Sequence, residues 1–520
     1  MNIFFLFAPK FLEWPLAIAR ELKNRIPEAS FSGVASGPRE IFNRIEDNKD
    51  PVIFPIDKLD ELERKWISTY CDETRLDKYE AMLGIGTLKR IIISDRQIGN
   101  GFINGGLIPN TKLIKLSEDS EIVRRYVLNI LDYIFEIFKN NRPDLVFLYA
   151  VAGAVSVAIA EACHYLNIPI ARLVSVRIGN RYIIDTSFDG MFAPVRLIYE
   201  KALNSPEPIE RVLPEAKKYL AAFREKPQQP DYAKFNRKLS AQSQSISGIA
   251  RQTIIDLKGV AGAIVCKRNR VRSLRSTSEW DLTLHRILVG WKGSFLLRNG
   301  TFRSVGILPK RPFAYFPLHV DPEASTMVLS PMYTDQIAVI EALAKSLPLG
   351  MDLVVKEHVP MLGKRPAGFY KRLSRMPVVI LASPFEDSLS LIKQAALTCV
   401  ITGTAAWEAM LLQKPTLIIG NSPYMAIGQG FVYSPDLSSL PKAISEALNV
   451  PPADDDRLAL YIAALLDQSF DFPTETFWGN VTKDVVQQNQ KILNNICDRI
   501  LALMEDRNVS GRSKEINLPI

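Results

Sequence analysis

An α/β protein of two domains, each a parallel sheet covered by helices and facing the other across a cleft, is the architecture this sequence predicts. Three observations lead there. Short, nearly uninterrupted apolar runs alternate with helical patterns through residues 1 to 200 and again through 313 to 505, as parallel strands buried on both faces require. The chain has 520 residues, more than one core usually organises. Between the alternating regions, residues 201 to 312 change texture and read as a basic, partly helical connector.

In the first region, residues 3 to 7 (Ile-Phe-Phe-Leu-Phe) predict a buried strand, and Glu13 to Arg25 a helix with Pro15 in its first turn, where proline is tolerated. Further strands are expected at Val52 to Phe54, Ile91 to Ile93, Leu145 to Tyr149 and Pro169 to Val174. The clearest unit is strand 144–149, helix 150–166 and strand 168–173. Strand ends of such sheets project groups into a crevice, which singles out Arg177, Arg181, Asp185 and Asp189, with Asp95 and Arg96 of the same standing. Taken one at a time, such residues are more often solvated loop charges.

In the connector, Glu225 to Asp231 and Ser240 to Ser247 are linker-like, and Lys267 to Arg275 is a basic run flanked by apolar stretches. From Arg211 to Pro312 there are 21 Lys/Arg and 6 Asp/Glu, a local +15; the whole chain is +8, which leaves −7 elsewhere. A mildly acidic body thus carries one basic segment. That segment reads either as a solvated helix face or as an amphipathic surface for anionic lipid headgroups or an acidic polymer, with residues 251 to 312 the membrane-facing part. Nucleic acid fits less well, since no recognition module is present.

Composition narrows the class. Hydrophobic residues at 47% and charged residues at 23% suit a globular chain rather than a disordered one. No apolar run reaches the roughly 18 residues that span a bilayer, and the N-terminus lacks the basic start of a leader peptide. Cys71, Cys163, Cys266, Cys399 and Cys497 are scattered, and His164, His285, His319 and His358 form no H-x-x-x-H pair. Reduced thiols, a cytoplasmic location and no metal site are therefore expected.

The second region predicts strands at 313–319, 352–356, 378–381, 398–401 and 416–419, with helices at 335–347, 369–374, 387–396 and 405–412 between them. Helical patterns at 440–448, 456–466 and 481–504 close the chain, and residues 506 to 520 form a frayed tail. Asp454-Asp455-Asp456 is expected to cap the helix near Arg457 rather than to bind a metal. Three turns end strands on one sheet edge: the turn from Leu318-His319 to Pro322-Glu323, Lys356-Glu357-His358, and Thr402-Gly403-Thr404. Together they offer imidazoles, a lysine, carboxylates, hydroxyls and the backbone donors of a glycine turn at a helix start. Such a set suits a nucleotide phosphate and its ribose.

The spaced combination Pro317-Leu-His-Val-Asp-Pro-Glu-Ala-Ser325, Val354-Val-Lys-Glu-His358, Phe369-Tyr-Lys-Arg-Leu373 and Ile401-Thr-Gly-Thr-Ala-Ala-Trp-Glu-Ala409, with Lys414-Pro415, resembles the bacterial capsule polysaccharide synthesis family. The likeness is strongest over residues 310 to 425 and weaker over 144 to 190. It implies a GT-B architecture of two facing Rossmann-like domains and transfer of a Kdo-like sugar from CMP-Kdo to a glycan or glycolipid acceptor. It also implies metal-independent chemistry without a cofactor, and the basic segment adds peripheral contact with the inner face of the cytoplasmic membrane as an expectation. By the same resemblance, Lys356, Glu357 and His358 belong to the nucleotide site together with Thr402, Gly403 and Thr404, and Glu408 would hold ribose hydroxyls. Glu323 is the candidate acid/base and His319 a donor contact, with Asp185 the candidate carboxylate of the first domain. Val359 before Pro360, and His319 and Asp321 in place of glutamines, depart from the family pattern. An epimerase or hydrolase on the same fold and a non-catalytic assembly or export partner are the alternatives.

Overall fold

The computed structural model describes residues 1–8, 11–37, 42–43, 45, 53–70, 72–103, 106–228, 246–265, 273–304, 311–473 and 481–510. Two sheets organise it. The first has strands β1 (Asn2–Phe7), β2 (Ser30–Ala35), β3 (Ile53–Lys58), β4 (Leu145–Leu148), β5 (Ile170–Ser175) and β6 (Arg181–Asp185). The second has β7 (Phe313–Pro317), β8 (Asp352–Lys356), β9 (Val379–Ala382), β10 (Leu397–Val400), β11 (Thr416–Ile418) and β12 (Val432–Tyr433). A last short strand, β13 (Phe470–Asp471), returns to the first sheet.

The strand orders are β13-β6-β5-β4-β1-β2-β3 and β12-β11-β10-β7-β8-β9. Stripped of its antiparallel edge, the first sheet runs 3-2-1-4-5, and the second repeats that order with every pair parallel. In each, the order reverses between the first and fourth strand, so both domains have a doubly wound crevice at their C-terminal edge. These are the two Rossmann-like halves of a GT-B-like fold, as the sequence implies.

Most predicted strands lie within a residue or two of their expected positions because their apolar runs are buried on both faces. The run Ile91 to Ile93 differs: it ends a helix, Thr87–Ile93, rather than a strand. Leu88, Ile91 and Ile92 are its buried apolar positions, a helical i, i+3, i+4 spacing that three apolar residues alone do not reveal. Strand β2 has no long apolar run. Its Gly33 sits where a Cβ would strike the Phe5 carbonyl oxygen, so a small residue is needed to close the sheet.

The helices that matter for the site are α1 (Glu13–Arg25), α2 (Ser120–Asn140), α3 (Ala154–Tyr165), α4 (Ala193–Asn204), α5 (Leu213–Glu225), α6 (Ile246–Val265), α7 (Glu279–Arg298), α8 (Gln336–Ser346), α9 (Ala405–Leu411), α10 (Leu440–Asn449), α11 (Asp455–Gln468) and α12 (Gln490–Ser510). Helix α11 is capped by Asp454, whose carboxylate accepts from the Asp456 and Arg457 amides, as expected. Domain boundaries differ from the simple division at 200 and 313. Helix α12 packs its buried Leu493, Ile496, Cys497 and Ile500 into the core of the first sheet, so the chain crosses back after α11. Helices α4 and α5, assigned in part to the connector, share one core with α9 and α11 through Tyr199, Phe223, Trp407 and Tyr461. The two domains are therefore joined by a common apolar core rather than by a linker alone.

Most of the basic run Lys267 to Arg275 lies outside the described residues, as do parts of the two linker-like stretches. Its last member is not a solvated charge. Arg275 donates to Glu63 at 2.6 Å and to Asp95 at 2.8 Å, and to the Tyr126 hydroxyl at 2.8 Å, tying the connector into the first domain.

Candidate functional site

A cleft of about 350 Å³ opens where the two sheet edges meet, within the size range of small-molecule sites. The second domain lines it with His319, Glu323, Lys356, His358, Thr402, Gly403, Thr404 and Glu408; the first domain adds Arg172, Ser175, Arg177 and Phe192. Eight of the ten residues expected from sequence thus converge on one surface. They do so because β7, β8 and β10 are adjacent and parallel, so their C-terminal turns share an edge.

Glu357 and Asp185 do not line the cleft. Side chains alternate along an extended strand, so Lys356 and His358 face the cleft while Glu357 faces the opposite way. There Glu357 is buried and accepts from Arg365 Nε at 2.7 Å, Arg365 Nη2 at 3.0 Å and the Tyr370 hydroxyl at 2.9 Å. Asp185 is fully buried at the end of β6, paired with Arg172 at 2.8 Å and accepting from Ser187 Oγ and the Ala193 amide. Its role in this structure is to hold Arg172, whose side chain reaches the cleft.

Arg365 is a cross-brace that sequence reasoning missed. Besides Glu357, its Nη2 donates to the His319 carbonyl oxygen at 2.7 Å, linking the β7 and β8 turns, and its guanidinium lies over the Phe369 ring at 4.9 Å. A base in Gly363-Lys-Arg-Pro366 looks like a solvated turn residue. Only the approach of Glu357, His319 and Phe369 makes it a core residue.

His319 is neutral for two concordant reasons. Burial, helped by the neighbouring His358 ring and the positive Arg365, pushes its pKa down to about 3, and its Nε2 accepts a hydrogen bond from the Thr402 amide at 3.4 Å. Gly403 packs on this ring: a Cβ there would lie 3.1 Å from His319 Cε1. Gln336 holds the same residue from behind, accepting from its amide at 2.7 Å.

Glu408 sits on α9 among residues that are all buried. Trp407 stacks on Tyr424 with ring centres 4.9 Å apart, which fixes the rotation of the helix and turns Glu408 toward the cleft. Burial raises its carboxyl to about 8, with Asp387 adding to the effect and Lys356 opposing it. Near neutral pH this group is therefore mostly a neutral acid, able to donate as well as accept. Helix α9 has only seven residues and Thr404 makes no side-chain cap, so Lys356, His358 and the threonine hydroxyls, rather than a helix dipole, are the groups that could hold an anion.

His358 and Glu323 are open to solvent within the cleft yet crowded by protein. Crowding, then Lys356 and Arg365, lower the His358 pKa, while crowding raises Glu323 against the pull of Arg177 and Arg96. Because both groups stay accessible to water, these shifts are smaller than full burial would produce. Arg177 is a non-glycine residue at φ 66°, a left-handed conformation that a side chain adopts only under constraint. Among the other strand-end candidates, Arg181 instead donates to the Leu466 carbonyl at 3.2 Å, Asp189 accepts from the Met191 amide, and Asp95 is consumed by Arg275. No group of three or more His, Cys, Asp or Glu that could hold a metal occurs among the described residues. No helix among them is long and apolar enough to cross a membrane.

No protein-family model matches this sequence, and no curated protein matches it. Solved structures similar to it include the UDP-GlcNAc 2-epimerase of Neisseria meningitidis bound to UDP-GlcNAc, at 12% identity over 90% of this chain and 99% of that one, with a TM-score of 0.23. They also include the β-Kdo 2,4 transferase KpsC of Thermosulfurimonas dismutans, at 13% identity over 70% and 94% of the two chains with a TM-score of 0.35. The β-Kdo 2,7 transferase structure of the same KpsC is 11% identical over 64% and 79%, with a TM-score of 0.32. Kdo transferases, which the motif spacing resembles, are thus among the structural neighbours.

Proposed function

We propose that this protein is a metal-independent glycosyltransferase that moves a Kdo-like sugar from a CMP-sugar to a glycan or glycolipid acceptor in surface-polysaccharide synthesis. The observation that carries the reading is the convergence of Lys356, His358, Thr402, Gly403 and Thr404 on one wall of the cleft, with Glu408 beside them. These groups suit a nucleotide monophosphate: Lys356 supplies charge, His358 a neutral N–H, and the Gly403 turn allows close approach of the phosphate.

In the proposed step an acceptor hydroxyl oxygen bonds to the anomeric carbon as the bond from that carbon to the CMP phosphate oxygen breaks. The phosphate leaves with the electron pair, and Lys356 and His358 stabilise the charge that develops on it. Glu323, accessible in the cleft and with a raised pKa, takes the acceptor proton. Arg172 and Arg177 face the cleft from the first domain and present positive charge on the acceptor side.

The test is a panel of CMP-, UDP- and GDP-sugars assayed for thermal protection, followed by incubation of any binder with acceptor glycans. A ligand at a hundred times its Kd stabilises by about 2.7 kcal/mol, which a melting curve resolves. CMP-sugars are expected to raise the midpoint and Lys356→Ala with His358→Ala to abolish the rise. Conversion of the sugar to an isomer without transfer would replace this reading with an epimerase. No protection by any nucleotide sugar would remove the enzymatic reading altogether.

A further inference from the structure

Helices α6 and α7 pack against each other as a hairpin, with Gly290 of α7 against Ile249 and Arg286 paired with Asp256 at 3.4 Å. Along α7, Trp280, Leu284, Leu288, Trp291 and Phe295 recur at helical spacing, so they fall within a sector of about 80°. Each is exposed, by 47% to 65%. The opposite side of α7 is occupied: Thr283, Gly293 and Ser294 are buried, Lys292 donates to the Arg365 carbonyl oxygen, and a side chain at Gly363 would strike the Val289 carbonyl. Ile254, Ile255 and Leu257 of α6 are exposed as well. Of 19 exposed large apolar side chains among the described residues, these two helices carry eight, so the patch is not the ordinary scatter of a protein surface.

Charge decides what covers it. The segment that contains the hairpin holds the chain's +15 concentration, while the remainder of the protein is net acidic. Arg251, Lys258, Arg286 and Arg298 lie on the two helices themselves, against Asp256, Glu279 and Asp281, and Lys267, Arg268, Arg270 and Arg272 fall between the helices in sequence. A stripe of tryptophan, phenylalanine and leucine beside an excess of basic residues matches the boundary between lipid headgroups and acyl chains, where amphipathic aromatics are favoured and anionic headgroups attract lysine and arginine.

We propose that the α6–α7 hairpin docks this protein on an anionic lipid bilayer, with Trp280, Leu284, Leu288, Trp291 and Phe295 entering the headgroup boundary. The proposal stands whether or not the cleft transfers sugar. It has a structural consequence for the cleft. Helix α7 rests on the 361–365 loop, whose Arg365 braces the turns of His319 and Glu357, so docking holds the cleft at a set position above the lipid.

The full-length protein is floated with phosphatidylcholine vesicles, with and without phosphatidylglycerol, at low and high salt. Flotation with the anionic vesicles, weakening as salt rises, is expected. Combined Trp280→Ser, Leu288→Ser and Phe295→Ser should lower the bound fraction about tenfold or more, with circular dichroism and melting midpoint unchanged because all three positions are exposed. Should that variant fail to fold, quenching of wild-type tryptophan fluorescence by brominated lipid in the anionic vesicles gives the same answer without it. Equal flotation of wild type and folded variant, equal binding to neutral and anionic vesicles, or no quenching would overturn the proposal. So would a concentration-dependent dimer that the triple substitution abolishes while vesicle binding is absent, which would assign the stripe to a second copy.

Discussion

Replacing Glu408 by glutamine should make the protein more stable in base while leaving it nearly unchanged in acid. The side chain is buried, and its carboxyl titrates near 8 rather than at the ordinary 4.5. At about 1.36 kcal/mol per pH decade, ionising it in the fold costs roughly 5 kcal/mol. The sign follows from proton counts. Below 4.5 both the folded and the unfolded chain carry the proton; from 4.5 to 8 the unfolded chain releases it while the fold retains it. Stability therefore falls as pH rises through that window and the full loss is reached above 8. Glutamine keeps the shape and cannot ionise. Urea unfolding of both proteins at pH 5, 7 and 9 should show the difference moving in favour of Glu408→Gln by about 3–5 kcal/mol across the series. Parallel pH dependences would refute the reasoning, since they would mean that Glu408 ionises in the fold as it does in water.

Two further outcomes test the walls of the cleft. Arg365→Met strips Glu357 and the His319 carbonyl of their shared cation and leaves a buried carboxylate, so urea unfolding should show a loss of about 3–5 kcal/mol; a loss under about 1 kcal/mol would mean that the brace is not needed. Gly403→Ala forces a methyl group against His319, so the thermal protection given by a bound nucleotide sugar should shrink while the unliganded midpoint moves little. An unchanged protection would place the ligand away from this turn.

Several parts of the architecture were legible because their cause is local. Strands β4, β8 and β10 announce themselves as apolar runs buried on both faces, and the helix cap Asp454 as a short acceptor before apolar periodicity. Where the cause is not local, the reading failed. Ile91 to Ile93 is too short to choose between periods, β2 depends on the closeness of Gly33 to Phe5, and the return of β13 and α12 to the first sheet depends on cores built far away in sequence.

For the candidate site, the sequence by itself indicated that these turns share one sheet edge, because parallel strands put their C-terminal ends on the same side, whereas the seating of β7 between β8 and β10 was decided by the fold. It also carried the alternation that turns Glu357 away from Lys356 and His358, although chemical type alone had grouped all three. Only the tertiary structure decided protonation and exposure. Glu408 is a neutral acid because Trp407 and the shared core bury it, and Asp185 is an anchor because Arg172 lies across from it. Arg275 is tied down by two buried carboxylates while the apolar side chains of α7 face water, each the reverse of what its residue type suggests. Charge state and exposure are properties of what surrounds a group in space, and residues such as Arg275 and Asp95, 180 positions apart, supply those surroundings only once the chain has folded.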